Sequence, residues 1–170
     1  KQLLRFRARY AGAAETLAAL GVGDRVVGRD EASDVPQISA APIVTKAHAT
    51  SAEKVLALQP DLVIVDAATA PLEALGQISD AGVRVVEIPE AWTLADIAAR
   101  TTAIAEAVGI PPDAAASVIA EATSAGGATP QADAPRVAFL YLRGTSAIYL
   151  VGGSGSGADA LVEAAGGIDA

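Results

Sequence analysis

The chain has no cysteine. Disulfides, zinc–thiolate sites, iron–sulfur clusters and cysteine nucleophiles are thereby excluded together, while any compartment stays compatible. There is a single histidine, His48. No Ser-His-Asp set, P-loop, His-Glu-x-x-His motif or paired-carboxylate arrangement emerges, so hydrolytic and redox catalysis find no support and no enzyme is expected. Positive charge is scarce: 12 Lys and Arg stand against 20 Asp and Glu, a net charge of -8. Nucleic acid needs a basic face and is excluded; most of the carboxylates read as solvated surface. No apolar run reaches the roughly 18 residues that a membrane-spanning helix requires. No signal-peptide pattern opens the chain, which begins abruptly at Lys1, so a processed or trimmed amino terminus is expected.

What is present is apolar and small. The 170 residues are 52% hydrophobic, enough for one domain, or for one domain and part of another. Alanine leads the apolar residues, which fits close helix packing and equally fits a GC-rich genome. Helices are expected over Ala11 to Leu20, from Ser51 to before Pro60, over Pro71 to Ala81, from a Thr93 cap to Val108, over Asp113 to Ser124 and over Ala158 to Ala165. In the fourth of these, Leu94, Ile97, Ala98, Thr101, Ile104, Ala105 and Val108 form a helical stripe. Strands are expected over Arg25 to Val27, Leu62 to Val65, Val83 to Ile88, Arg136 to Leu142 and Ala147 to Val151. Helices alternating with strands in this way imply βαβ units and a parallel sheet. Gly126 to Pro135, rich in Gly, Pro and polar residues, is the expected domain boundary.

The segment Phe139-Leu140-Tyr141-Leu142-Arg143-Gly144 carries the most chemistry. Strand alternation projects Tyr141 and Arg143 from one face. A guanidinium beside a phenol favours the phenolate, a hard anionic ligand suited to ferric iron, and tyrosine is a known haem ligand. His48 is the candidate for the second axial position. Each residue has a plainer reading beside this one. His48 fits a surface loop, Tyr141 a core aromatic with its hydroxyl at the sheet edge, and Arg143 a solvated strand end. Tyr149, in the partner strand, is the substitute ligand. The turn Gly152 to Gly157 follows a strand and opens a helix, so its backbone N–H groups, with Ser154 and Ser156, fit a haem propionate or form only a flexible turn. A dinucleotide fingerprint fails there on spacing, and no acidic residue follows at the required distance. Trp92 reads as either cleft lining or packing beneath the helix that follows, and Asp66, at a strand end, as facing the same cleft.

The runs Gly23 to Asp30 and Ser51 to Asp66, the latter reading Ser-Ala-Glu-Lys-Val-Leu-Ala-Leu-Gln-Pro-Asp-Leu-Val-Ile-Val-Asp, resemble the substrate-binding proteins of bacterial iron and cobalamin ABC importers, over roughly Ala11 to the end. The chain is most similar to the haemin-binding branch. That branch places a histidine or tyrosine just before the Ser-Ala-Glu helix, where His48 stands, and a Tyr-x-Arg-Gly segment in its second lobe, matched by Tyr141 and Arg143. The resemblance implies two α/β lobes joined by a rigid helix, with haem held in the cleft and delivered to a membrane permease. Residues 1–110 are then an α/β lobe with a parallel sheet and flanking helices, 111–135 an interlobe helix and linker, and 136–170 the start of an incomplete second α/β lobe. Glu53 matches the glutamate that docks on permease arginines. The implied protein is extracytoplasmic, periplasmic or a surface lipoprotein, and binds ferric haem with metal ligands His48 and Tyr141. A ferric siderophore or cobalamin carrier is the alternative, with Arg143 and Lys46 as its basic groups; a nucleotide-binding α/β enzyme is the second. The chain departs from the family in Leu3 to Arg9, which carries three arginines where the first strand is normally apolar, and in ending at Ala170. Open sheet edges in the second lobe imply a homodimer or a swapped dimer.

Overall fold

In the computed structural model the chain forms two compact units, residues 1–90 with 99–118, and residues 91–98 with 119–170. The structure describes residues 3–5, 13–33, 35–46, 49–67, 69–124, 133–143 and 148–170; for 3–5, 46, 141–143 and 148–150 it describes the backbone alone.

The first unit runs β1 (Leu3–Arg5), α1 (Ala13–Ala19), β2 (Val26–Gly28), β3 (Thr45–Lys46), β4 (Ala49–Thr50), α2 (Ala52–Ala57), β5 (Leu62–Val65), α3 (Leu72–Asp80) and β6 (Arg84–Glu87), then α4 (Leu94–Val108) and α5 (Pro112–Ser124), both of which it shares with the second unit. Four strands form a parallel sheet in the order β2-β1-β5-β6. This is the parallel α/β lobe that the alternation of elements implies. The arginine-bearing segment does contribute a strand: Leu3 to Arg5 pairs with β2 on one side and β5 on the other.

Strand β5 explains the layering. All four of its residues are buried, as a parallel strand covered on both faces requires. Alternation sends Leu62 and Ile64 into one apolar cluster, with Ala13, Ala14 and Leu17 of α1 and Ile104 and Val108 of α4. It sends Val63 and Val65 into the other, with Ala52 and Val55 of α2 and Ala74 and Ile78 of α3. The result is helix, sheet, helix.

Local signals set the helix starts. The Ser51 hydroxyl accepts from the Lys54 N–H at 3.3 Å, capping α2. At α4 the caps are reciprocal: Thr93 Oγ1 accepts from the Asp96 N–H at 3.3 Å, and Asp96 Oδ2 accepts from the Thr93 N–H at 2.8 Å.

The second unit contains β7 (Arg136–Val137), β8 (Phe139–Arg143), β9 (Ile148–Gly152), α6 (Ala158–Ala164) and β10 (Ile168–Asp169). The single strand expected over Arg136 to Leu142 is broken at Ala138. Before the break β7 pairs in parallel with β10; after it β8 pairs antiparallel with β9. The connection between them, 144–147, lies outside the described residues.

Replacing Ile64, fully buried against α1 and α4, by alanine is expected to cost about 3 kcal/mol in urea unfolding. Leu72→Ala, at a residue 74% exposed, is expected to change stability by less than about 0.5 kcal/mol.

Candidate functional site

In a parallel sheet, ligands gather outside the carboxyl ends of the strands where the strand order reverses. Here that point is β1/β5: the chain leaves β1 for β2 on one side, and later places β5 on the other. The segment after β5 is built from its own side chains. Thr69 Oγ1 donates to Asp66 Oδ1 at 2.9 Å and accepts from the Asp66 N–H at 3.2 Å, and the Thr69 N–H donates to the Asp66 carbonyl at 3.0 Å. This turn holds β4 in turn, because the Thr50 N–H donates to the Ala70 carbonyl at 3.1 Å. Strand β4 pairs antiparallel with β3 through Thr45–Thr50 and Lys46–Ala49. β3 and β4 form a two-stranded sheet of their own; His48, the residue before β4, lies outside the described residues.

The approach to β3 is tied down as well. The Arg29 guanidinium donates to the carbonyls of Ala41 at 3.2 Å, Ser33 at 3.0 Å, Asp30 at 3.4 Å and Ser39 at 3.4 Å. The Asp30 carboxylate is fully buried and accepts from the Ala32 N–H at 2.8 Å and the Ser33 hydroxyl at 2.5 Å. One cation and one anion therefore satisfy a polar loop that has little regular hydrogen bonding.

A second arginine sits inside the unit. Arg100 of α4 is 6% exposed, and its Nη1 donates to the Pro89 carbonyl at 2.7 Å, just beyond β6. Burial lowers its pKa, opposed by the charges of Asp66, Glu90 and Glu15. Its Nε and Nη2 are buried and have no hydrogen-bond partner among the described residues. Sequence reasoning missed Arg100, although the spacing Ile97, Arg100, Ile104 places it on the inward stripe.

In the second unit the register separates the two candidate tyrosines. Tyr141 pairs with Leu150 and Arg143 with Ile148, so by strand alternation both belong to one face of the β8–β9 ribbon. Tyr149 pairs with Leu142 and belongs to the opposite face. By register Tyr141 and Arg143 thus occupy positions on one face of the ribbon, which Tyr149 does not share.

The glycine turn after β9 is exposed at Ser154 and Ser156. Its donors are engaged by the chain itself: Asp159 Oδ2 accepts from the Gly155 N–H at 2.7 Å. This bond, with further backbone donors at Ala160 and Gly157, holds the Asp159 carboxyl below the ordinary 3.8. The Ser156 hydroxyl accepts from the Ala158 N–H at 3.3 Å. Two glycines are required sterically. A Cβ at Gly152 would lie 2.6 Å from the Ala158 Cβ, and one at Gly157, where φ is +83°, would lie 3.0 Å from Trp92 Cε3. The Trp92 ring therefore lies against the Gly157 backbone while 40% exposed.

Glu53 is exposed in the first turn of α2. Among the described residues, no three His, Cys, Asp or Glu side chains cluster as a metal site.

The periplasmic binding protein family profile matches residues 8–170, and the chain belongs to that family. No curated protein matches it. Among solved structures, the heme binding protein HmuT is 34% identical with a TM-score of 0.84, over 99% of this chain and 56% of that one. The periplasmic heme-binding protein RhuT from Roseiflexus sp. RS-1 is 33% identical with a TM-score of 0.83, over 99% of this chain and 65% of that one. The periplasmic heme binding protein HutB of Vibrio cholerae is 25% identical with a TM-score of 0.84, again over 99% and 65%. The chain thus spans between about half and two thirds of the length of these proteins. Its family and these neighbours are binding proteins, not enzymes.

Asp96 and Asp159 both have lowered pKa values, held by hydrogen bonds to Thr93 and to Gly155 respectively. A carboxyl depressed in the folded state adds stability above its unfolded value and loses it as pH falls through the folded one. Carboxyl-carbon NMR titrations are expected to give midpoints below 3.8 for both residues. Asp96→Asn and Asp159→Asn are each expected to flatten the acid limb of the stability–pH curve.

Proposed function

We propose that this chain captures haem outside the cytoplasm and passes it to an ABC-importer permease. The observation that carries this reading is the match of 99% of the chain to the heme binding protein HmuT at 34% identity and a TM-score of 0.84. The cargo is ferric haem, with His48 and Tyr141 as the axial ligands. Arg143 hydrogen-bonds the phenolate oxygen and stabilises its charge. Three features support the assignment. His48 immediately precedes a strand held at the carboxyl edge of the parallel sheet. Tyr141 and Arg143 belong to one face of β8. The substitute ligand, Tyr149, belongs to the other face.

Apolar surface buries the porphyrin, and the exposed hydroxyls of Ser154 and Ser156 hydrogen-bond the propionates at the rim. Asp159 limits what the turn itself offers an anion, since its carboxylate already takes the Gly155 N–H. Glu53, exposed on α2, docks on the arginines of the permease. The chemistry is binding and handover without turnover: release requires that one iron ligand be lost. A periplasmic or lipid-anchored protein fits this role.

Adding haemin to the purified chain is expected to give a Soret band that saturates at one equivalent. His48→Ala and Tyr141→Phe are each expected to lose that band or shift it, with far-ultraviolet circular dichroism unchanged. Binding of a ferric siderophore or cobalamin in preference to haemin, or a wild-type Soret band in both variants, would contradict the assignment.

A further inference from the structure

The second unit holds a partly exposed aromatic ring that the haem reading does not use. Trp92, the only tryptophan of the chain, belongs to the segment 91–98 that packs with residues 119–170. Its backbone is fixed by one carboxylate: Asp96 Oδ2 accepts from the Trp92 N–H at 3.0 Å and from the Thr93 N–H at 2.8 Å. Its ring rests on Gly157, where a Cβ would lie 3.0 Å from Trp92 Cε3 and 3.2 Å from the Trp92 carbonyl oxygen. Trp92 is nevertheless 40% exposed. A large ring with two side-chain torsions, held at its backbone and seated on a glycine, gives up little conformational entropy when a ligand covers it.

The surroundings of this ring are those of the proposed site. Gly157 follows Ser156, whose exposed hydroxyl is assigned to a propionate. Ala158, the first residue of α6, packs on Gly152: a Cβ at Gly152 would lie 2.6 Å from the Ala158 Cβ and 3.1 Å from Phe139 Cδ1. Phe139 is 41% exposed, and the next position on its face of β8 is Tyr141. Two partly exposed aromatic rings therefore border one turn, Phe139 at its strand end and Trp92 at its helix end. We propose that Trp92 is a porphyrin-contact residue, its exposed ring packing on the tetrapyrrole beside the propionates held by Ser154 and Ser156. The inference rests on the haem reading and adds to it an attraction independent of iron, one conjugated ring against another.

Because Trp92 is the sole tryptophan, the chain has one indole N–H resonance, and it reports on this residue alone. Gallium(III) protoporphyrin IX, a diamagnetic stand-in for haemin, is expected to move that resonance and the indole ring protons upfield, as a porphyrin ring current does to protons over its face. Haemin titration followed at the Soret band measures the strength of the contact. Trp92→Ala is expected to bind about tenfold more weakly, and Trp92→Phe to stay within about threefold of the wild type. The ferric spectrum of haemin bound to Trp92→Ala is expected to match the wild type, in contrast to Tyr141→Phe, since the iron ligands are untouched. Leu161→Ala, at an exposed residue of α6, is expected to bind as the wild type does. Should Trp92→Ala fail to fold, Trp92→Leu keeps an apolar side chain on Gly157 and carries the same comparison with Trp92→Phe.

An indole resonance that gallium protoporphyrin binding leaves in place, or wild-type haemin affinity in Trp92→Ala, would overturn the contact and leave the haem reading standing. A wild-type chain that takes up neither haemin nor the gallium porphyrin would overturn the haem reading, and the contact with it.

Discussion

Burial of β5 on both faces is the constraint on which the first unit depends. Leu62 and Ile64 reach one cluster, Val63 and Val65 the other, so a four-residue strand joins both helical layers. Its neighbours in the sheet are β1 and β6. With β5 fixed, the end of the strand at Val65 fixes where the chain must turn, and Asp66 is the first residue beyond the core. The polar chemistry of the edge therefore begins where the apolar run stops.

That edge is assembled by side chains bonding to backbone. Arg29 gathers four carbonyls of the loop that leads to β3, and Asp30 satisfies two donors of the same loop. Thr69 closes the turn after β5, and Ala70 holds β4. In each case a buried polar group is paired because leaving it unpaired costs more than the bond itself returns. The exceptions are Thr45 Oγ1 and Arg100 Nε and Nη2, which are buried without a partner among the described residues. The second unit follows the same economy at its glycine turn, where Asp159 supplies the anion for Gly155.

The sheet and its covering helices were legible because they follow from patterns of two and of 3.6. The uninterrupted Leu62 to Val65 run, the Ser51 cap and the stripe of α4 each have one physical solution. Other features were not legible. The break at Ala138 arises because β7 and β8 find different partners, β10 and β9, a matter of pairing rather than local propensity. Only two residues form β10, too few to show a period. Three arginines from Arg5 to Arg9 argued against a first strand, yet β1 needs only Leu3 to Arg5 and gains ladder bonds on both sides. In β8 the shared face of positions Tyr141 and Arg143 was readable from their spacing, but the opposite face of Tyr149 required the register. Arg100 was hidden by its charge, although its place on the helical stripe was in view. The glycine turn was readable as a cradle for an anion; that Asp159, four residues past Gly155, supplies one was not.

The haem assignment joins two segments that the sequence keeps far apart, one before β4 and one in β8. The most direct test is a crystal structure of this chain saturated with haemin. The account predicts one haem per chain, with an imidazole nitrogen of His48 and the phenolate oxygen of Tyr141 bonded to the same iron and Arg143 hydrogen-bonded to that oxygen. Iron ligated by other side chains, or a porphyrin seated away from the carboxyl ends of the parallel strands, would contradict it.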